Sequence, residues 1–179
     1  LFYTLAMICC DCLIIGSGPA GLGTAFSLLE KIPNIKIIIL ESRSISSGGL
    51  RNDCKMNFTF PVGFPLEYWT EQNSSPYLEK LEKFLQPNIL IKDKLEKYTQ
   101  RAEKIGVQLL NIRQSHLGTD GGIKLIKELT EKLIERGVEM HFGETLISAQ
   151  EKEHIAITNK REIQYKHLVI APGRHGFDF

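Results

Sequence analysis

The chain has 179 residues, a net charge of +1 and 24% charged residues. This length is enough for one domain with a sizeable hydrophobic core. Because no basic block stands out, the sequence disfavours binding to nucleic acid and attachment to an anionic membrane surface. The apolar residues near the N-terminus lack a basic flank and are interrupted by Asp11, so they predict a strand rather than a signal peptide or a membrane helix.

Neither the cysteines nor the histidines have the spacing of metal ligands. Cys9, Cys10 and Cys12 do not form a zinc motif, and Cys54 has no second cysteine near it in the sequence. The five histidines are scattered and form no H-x-x-x-H unit. We therefore predict no metal site, and reduced thiols in a cytoplasmic protein.

A glycine fingerprint lies between the first predicted strand (residues 12–15) and the first predicted helix (residues 22–30). Gly16, Gly18 and Gly21 fit the pattern G-x-G-x-x-G. In that pattern the first glycine allows a tight turn, the second lets a pyrophosphate approach the backbone, and the third lets the helix pack close to the strand. The N-terminus of the helix adds free N–H groups and partial positive charge. The pattern predicts a dinucleotide site.

An acid follows the second predicted strand, which covers residues 35–40. Glu41 has the spacing expected for a group that accepts hydrogen bonds from ribose hydroxyls, and its charge would repel a 2′-phosphate. The alternative is a turn closed only for packing, with Glu41 solvated at the strand end. The next loop, residues 42–51, is rich in hydroxyls and glycines and suits phosphate or a flat ring, although it also fits an ordinary surface loop.

The middle of the chain is irregular and polar. Its predicted elements are a helix capped by Ser75 that ends at residue 85, a second helix capped by Asp93 that runs to residue 105, and a strand over residues 107–112. This composition predicts an insertion over about residues 52–115 that lies outside the nucleotide-binding sheet.

The last third of the chain returns to regular apolar patterns. Thr119 and Asp120 predict the cap of a helix over residues 122–136. The strands predicted after it cover residues 138–142, then a β-meander at 145–149, 155–158 and 162–165, and then a separate buried strand at 167–171.

Four features together resemble the FAD domain of the glutathione-reductase-type flavoprotein superfamily, and within it are most similar to bacterial FAD-dependent dehydrogenases of unknown substrate. The features are the fingerprint at 16–21, Glu41 with Gly48 and Gly49 after it, the HLGTD sequence at 116–120, and the LVIAPGR sequence at 168–174. The last one resembles the Ala-Thr-Gly motif of the superfamily, with Pro172 in place of threonine. The resemblance implies an α/β fold, a Rossmann-like parallel sheet with a β-meander.

The resemblance also implies cofactor-binding roles by position. The residues that would hold the pyrophosphate are Gly16, Gly18, Pro19, Ala20 and Gly21. Glu41 would hold the adenosine ribose, and Ser42 and Arg43 would flank the adenine. The remaining positions are Gly48 and Gly49 at the pyrophosphate and ribityl end, Leu146 as a backbone contact to adenine, and Ala171 and Gly173 at the floor of the site. The catalytic residues are not identified by the resemblance.

The superfamily has a later Gly-Asp motif that binds the ribityl chain, and this sequence lacks it. We therefore expect residues 8–179 to be the N-terminal part of an FAD-binding domain whose C-terminal remainder is absent, and its own affinity for FAD stays open.

The leading hypothesis is an FAD-dependent oxidoreductase, a dehydrogenase that transfers hydride through flavin N5. Its partners would be a small-molecule substrate and an electron donor or acceptor, with NAD(P)H as one candidate. Disulfide reduction is disfavoured because only Cys54 follows the glycine loop. The alternatives are an NAD-binding or thiazole-synthase-like Rossmann protein, and a redox-inactive nucleotide-binding protein. Loops, charged helices and a meander follow Glu41 where a third βα unit would be expected for NAD, so this order favours FAD.

Overall fold

A computed structural model describes residues 7–46, 54–90, 92 and 94–173. The chain forms two compact units, one made of residues 1–52 and 119–179 and the other of residues 53–118. The site-bearing elements predicted from the sequence fall in the first unit.

The first unit contains a six-stranded sheet with the order β5-β2-β1-β8-β7-β6. Its strands are β1 (Ile8–Ile15), β2 (Ile37–Glu41), β5 (Glu139–Phe142), β6 (Leu146–Gln150), β7 (Ile155–Thr158) and β8 (Glu162–Ile170). β1 pairs in parallel with β2 and β8, and β2 pairs in parallel with β5. β7 is antiparallel to both β6 and β8. This arrangement confirms the predicted Rossmann-like sheet with a β-meander.

The adjacent strands β1 and β2 are buried over residues 12–15 and 37–41, where their sequences are almost entirely apolar. One face packs against α1 (Pro19–Lys31) and α4 (Gly118–Glu135), through a cluster that includes Ile14, Leu22 and Leu133. On the opposite face, side chains of β1 and β2 form a second cluster with side chains of the meander strands, which includes Leu13 and Ile163. Apolar side chains therefore cover both faces of β1 and β2.

The second unit contains a small antiparallel pair, β3 (Cys54–Asn57) with β4 (Gln114–Leu117), and the helices α2 (Glu71–Leu85) and α3 (Leu95–Glu103). The predicted cap of α2 at Ser75 is wrong, because the helix begins one turn earlier at Thr70. The Thr70 hydroxyl accepts a hydrogen bond from the Asn73 N–H, and the Asn73 side chain accepts one from the Thr70 N–H. Ser75 instead donates to the Glu71 carbonyl inside the helix.

Three other predicted boundaries differ from the structure. Residues 107–112 are not a strand, since β4 begins only at residue 114 and the apolar side chains of Leu109 and Leu110 are exposed. The N-cap of α3 is Lys94 in the left-handed conformation, and Asp93 lies outside the described residues. α4 begins at Gly118, so Thr119 and Asp120 lie within its first turn rather than before it.

The strands predicted separately at 162–165 and 167–171 are one strand, β8, and the prediction that the second part is buried is wrong, since His167 and Ile170 are exposed. The polar Lys166 that interrupts the apolar pattern is exposed, and its ammonium contacts the Asp11 carboxylate on the neighbouring strand at 2.7 Å. β8 pairs with β1 along its length, from Ile163 opposite Ile8 to Ile170 opposite Ile15. Backbone pairing with β1 therefore maintains the strand where the side-chain pattern breaks.

Candidate dinucleotide-binding site

The candidate site lies where β1, β2 and β8 end. The Gly16 N–H donates to the Leu40 carbonyl at 2.8 Å, and the Ala171 N–H donates to the Ile15 carbonyl at 2.8 Å. Parallel strands place their carboxyl ends at one edge of a sheet, where nucleotides bind in open α/β folds. Three predicted site residues, Gly16, Glu41 and Ala171, are thereby brought to the same edge.

Gly16 and Gly21 are required by close backbone approaches. Gly16 has φ +100°, and a Cβ on it would lie 2.2 Å from the Ala171 carbonyl oxygen. A Cβ on Gly21 would lie 1.9 Å from the Gly16 carbonyl oxygen and 3.3 Å from Cγ2 of Ile14. The first turn of α1 therefore packs directly onto the end of β1, as predicted from the fingerprint.

Gly18 is different, because its backbone is one that any residue adopts. It is the N-cap of α1 with φ −78° and ψ −176°, and no side chain caps the helix. Pro19 is the first helical residue. Because the first N–H groups of a helix have no carbonyl partner within it, Ala20 and Gly21 present donors at the positive end of the helix dipole. This uncapped helix start fits a pyrophosphate.

Glu41 is buried and held by four hydrogen bonds. Its side chain is 6% exposed. Oε2 accepts from the Ser17 N–H at 3.2 Å and from the Ser17 hydroxyl at 2.5 Å. Oε1 accepts from the Arg43 N–H at 3.0 Å and from the Ser42 hydroxyl at 3.4 Å. The alternative in which Glu41 is merely solvated at the strand end is therefore wrong.

Sequence reasoning missed Ser17, which is fully buried between the first two fingerprint glycines. The fingerprint leaves this position free to vary, so the motif gives no signal for it. A buried hydroxyl needs a hydrogen-bond partner, and Glu41 is the acid predicted at the same edge of the sheet. This requirement could have paired Ser17 with Glu41.

The segment after β5 packs beside Glu41. The Gly143 N–H donates to the Arg43 carbonyl at 2.9 Å, and the Glu144 N–H donates to the Glu41 carbonyl at 3.1 Å. Leu146 begins β6 two residues later, and its side chain is buried in the core. Only its backbone is therefore suited to contact a nucleotide base, which is the role the resemblance implies.

A buried charged cluster, also missed from the sequence, supports this segment. The Glu144 side chain is 1% exposed, and its Oε1 accepts from the Thr158 hydroxyl at 2.8 Å and lies 3.2 Å from Nε of Arg161. Its Oε2 lies 3.4 Å from Nδ1 of His141, and neither of these two atoms has a hydrogen-bond partner. The cluster ties the meander to the end of β5.

The other predicted site residues are distributed as follows. Ser42 and Arg43 are exposed beside Glu41. Gly173 has φ +73° just after the end of β8. Gly48 and Gly49 lie outside the described residues. The 116–120 sequence falls in β4 and the first turn of α4.

Three cysteines lie on β1. Cys9 is exposed, and Cys10 and Cys12 are buried. Burial raises the pKa of Cys10 to about 12, and burial also raises the pKa of Cys12. Such thiols are protonated at neutral pH and are poor nucleophiles.

Among the described residues there is no group of three or more histidine, cysteine or acidic side chains that could hold a metal ion. No helix in the described part of the chain is long and apolar enough to cross a membrane.

Several solved structures share this fold. Glycine oxidase from Bacillus cereus is 15% identical with a TM-score of 0.61, covering 95% of this chain and 57% of that one. L-proline dehydrogenase from P. horikoshii is 16% identical with a TM-score of 0.56, covering 92% and 53%. NikD, an amino acid oxidase essential for nikkomycin biosynthesis, is 14% identical with a TM-score of 0.57, covering 97% and 53%. The chain thus spans little more than half the length of these structures.

Comparison with curated proteins found no match. A family model described as pyridine nucleotide-disulphide oxidoreductase matches residues 10–179. The match includes the glycine turn, Glu41 and the end of β8, and it confirms the predicted superfamily. Membership of this family supports FAD as the cofactor and oxidoreduction as the class of reaction. The chain therefore belongs to the pyridine nucleotide-disulphide oxidoreductase family.

Proposed function

We propose that the protein is an FAD-dependent oxidoreductase and that this chain holds the ADP half of the cofactor. One observation carries the proposal. The uncapped start of α1 and the buried carboxylate of Glu41 lie at the ends of adjacent parallel strands, joined through Ser17. A dinucleotide contains a diphosphate next to a ribose diol, so an edge that offers both an anion-binding helix start and an acid supports the binding of its ADP half.

The binding roles follow from this edge. The N–H groups of Gly18, Ala20 and Gly21 would bind the pyrophosphate, with Gly16 and Pro19 shaping the turn. Glu41 would accept hydrogen bonds from the ribose. The remaining proposed contacts are Ser42, Arg43 and the backbone of Leu146 on the adenine side, Ala171 and Gly173 at the floor, and Gly48 and Gly49 in the loop after β2. Bound FAD would supply the hydride acceptor, flavin N5.

The family implies small-molecule substrates or electron acceptors, and within that class we propose a dehydrogenase that uses NAD(P)H or a small organic substrate as the electron source. The glycine oxidase and L-proline dehydrogenase folds are consistent with a small substrate. Disulfide reduction is not proposed, because Cys10 and Cys12 are buried and protonated and only Cys54 follows the glycine loop in the sequence. The thiols of Cys9, Cys10 and Cys12 favour the cytoplasm as the location.

Purification of the full protein tests the proposal. We expect a yellow protein with a flavin absorption spectrum that bleaches with dithionite, or a colourless apoprotein that gains this spectrum when FAD is added. Glu41→Ala should weaken FAD binding by about 1.5–3 kcal/mol for each charged hydrogen bond lost. A protein that gains no flavin spectrum but binds NAD tightly would support the NAD-binding alternative. A flavin-loaded protein without turnover with any artificial electron acceptor would support the redox-inactive alternative.

A further inference from the structure

We propose that Ser17 is a positioning residue that fixes the Glu41 carboxylate for the ribose, an inference that rests on the proposed binding of FAD at this edge. Ser17 lies within the phosphate turn, between Gly16 and Gly18. It is fully buried, and its N–H and hydroxyl both donate to one oxygen of Glu41, Oε2. The turn that would bind the diphosphate and the acid that would bind the sugar are therefore joined directly.

The two oxygens of Glu41 have different surroundings. Among the described residues, Oε2 is bound by the buried Ser17 alone, and the contact from the Ser17 hydroxyl is the shorter of the two at 2.5 Å. Oε1 is bound by two exposed loop residues, and its hydroxyl contact, from Ser42, is long at 3.4 Å. A ribose hydroxyl can replace the weak Ser42 contact on Oε1 while Ser17 keeps Oε2 in place. Ser17 thus holds one oxygen so that the other meets the sugar.

This arrangement predicts that removal of the Ser17 hydroxyl weakens one particular contact with the ligand. In Ser17→Ala the N–H contact to Oε2 remains and the hydroxyl contact is lost, so the carboxylate gains freedom that a ribose would have to remove on binding. Alanine is smaller than serine and needs no rearrangement of the turn. The loss should therefore affect the contact with the ribose and leave the diphosphate contact unchanged.

Binding of ADP and of 2′-deoxy-ADP to the full-length apoprotein, measured by calorimetry, separates the two contacts. The acid of this fold hydrogen-bonds the ribose 2′-hydroxyl. We expect Ser17→Ala to weaken ADP binding about tenfold, the effect of one hydrogen bond to a charged group. Binding of 2′-deoxy-ADP should change less than about twofold on the same basis. In a Glu41→Gln background the effect of Ser17→Ala on ADP should also fall below about twofold.

Ser27→Ala is the matched control, because it removes an exposed serine hydroxyl of α1 that is not among the proposed binding residues. Its ADP affinity should stay within about twofold of the wild type. If Ser17→Ala weakens the binding of ADP and of 2′-deoxy-ADP equally, the inference is overturned, since this result would indicate a distorted phosphate turn. Unchanged ADP affinity in Ser17→Ala, together with a loss in Glu41→Gln, would overturn it while leaving the proposed function intact. Unchanged affinity in Glu41→Gln would instead refute the proposed ribose contact itself.

Discussion

The three fingerprint glycines have two distinct physical roles. Gly16 and Gly21 lie where a Cβ would enter a backbone carbonyl, at 2.2 Å and 1.9 Å. Gly18 has an extended backbone that accepts any residue. Gly16 and Gly21 therefore maintain the contact between the turn, α1 and β8, whereas for Gly18 we propose that the missing side chain leaves space for the pyrophosphate. Substitutions at these positions should separate stability from cofactor binding.

Gly16→Ala should lower the free energy of unfolding by about 1–3 kcal/mol, because alanine is strained at this φ and its Cβ would meet the Ala171 carbonyl. Gly18→Val should cost less than about 1 kcal/mol in stability, the size of an N-cap effect, yet abolish FAD binding through its side chain at the pyrophosphate. Urea unfolding and flavin fluorescence measure the two effects.

Gly23→Ala is the control for both, since its Cβ would have nothing within 4 Å on the exposed side of α1. It should keep FAD binding and gain up to about 1 kcal/mol from helix propensity. Wild-type FAD occupancy in Gly18→Val would place the diphosphate elsewhere, and wild-type stability in Gly16→Ala would contradict the close contact with Ala171.

Asp11 links the first strand to both of its neighbours. Its carboxylate contacts the Lys166 ammonium on β8 and accepts from the Lys36 N–H before β2. The hydrogen bond from Lys166 lowers the pKa of Asp11 below its ordinary value of 3.8. A carboxyl whose pKa is lower in the folded state stabilises the fold above its unfolded pKa, and this contribution disappears as the pH falls through the folded pKa.

Asp11→Asn should therefore be less stable than the wild type at neutral pH, and the difference should shrink below a pH of about 3.8. Thermal unfolding of both proteins between pH 7 and pH 2 provides the measurement. A difference that stays constant to the lowest pH would show that the Asp11 charge does not contribute to stability.

Individual elements show where side-chain patterns predict the strands correctly and where backbone pairing between strands decides instead. The apolar run of residues 12–15 predicts a fully buried strand, and β1 is buried there. β2 is buried throughout as well. β8 was predicted as two strands, because Lys166 breaks the apolar pattern and only pairing with β1 shows its continuity. The spacing of Glu41 predicts its place beside the glycine turn, but the Ser17 contact joins residues 24 positions apart and follows from no motif.

The N-cap of α2 gives a direct test at this scale. Thr70→Ala removes the hydroxyl that accepts from the Asn73 N–H and should lower the stability of the second unit by about 1 kcal/mol. Ser75→Ala is the matched control, because its hydroxyl donates to a carbonyl within the helix and its loss should be nearly neutral. Hydrogen exchange at the Asn73 amide and chemical unfolding provide the readouts. Equal effects of the two substitutions would contradict the assigned cap.

At the scale of the whole molecule, we propose that residues of about 52–115 are an insertion between β2 and α4. Every strand of the six-stranded sheet, together with α1, lies in residues 1–52 and 119–179. The second unit has its own strand pair and helices. The polar composition of this stretch predicted its separation from the sheet, whereas the bounds of its strands came only from the structure.

Replacement of residues 54–117 by a flexible Gly/Ser linker should therefore leave the six-stranded sheet folded. Circular dichroism and slow hydrogen exchange of the β1 and β2 amides would show this, and the intact chain serves as the reference. If these amides exchange freely in the shortened protein, the second unit is an integral part of the fold and the insertion hypothesis is wrong.

The continuity of β8 has a mechanical consequence. One uninterrupted strand pairs with β7 of the meander and runs along β1 to the edge beside the glycine turn. The meander and the parallel strands therefore share one continuous backbone segment, so we expect them to move together. If the protein changes conformation during turnover, we expect the residues proposed to bind the ADP half of the cofactor to move as one rigid body. The hinges of such a change would then lie outside this sheet.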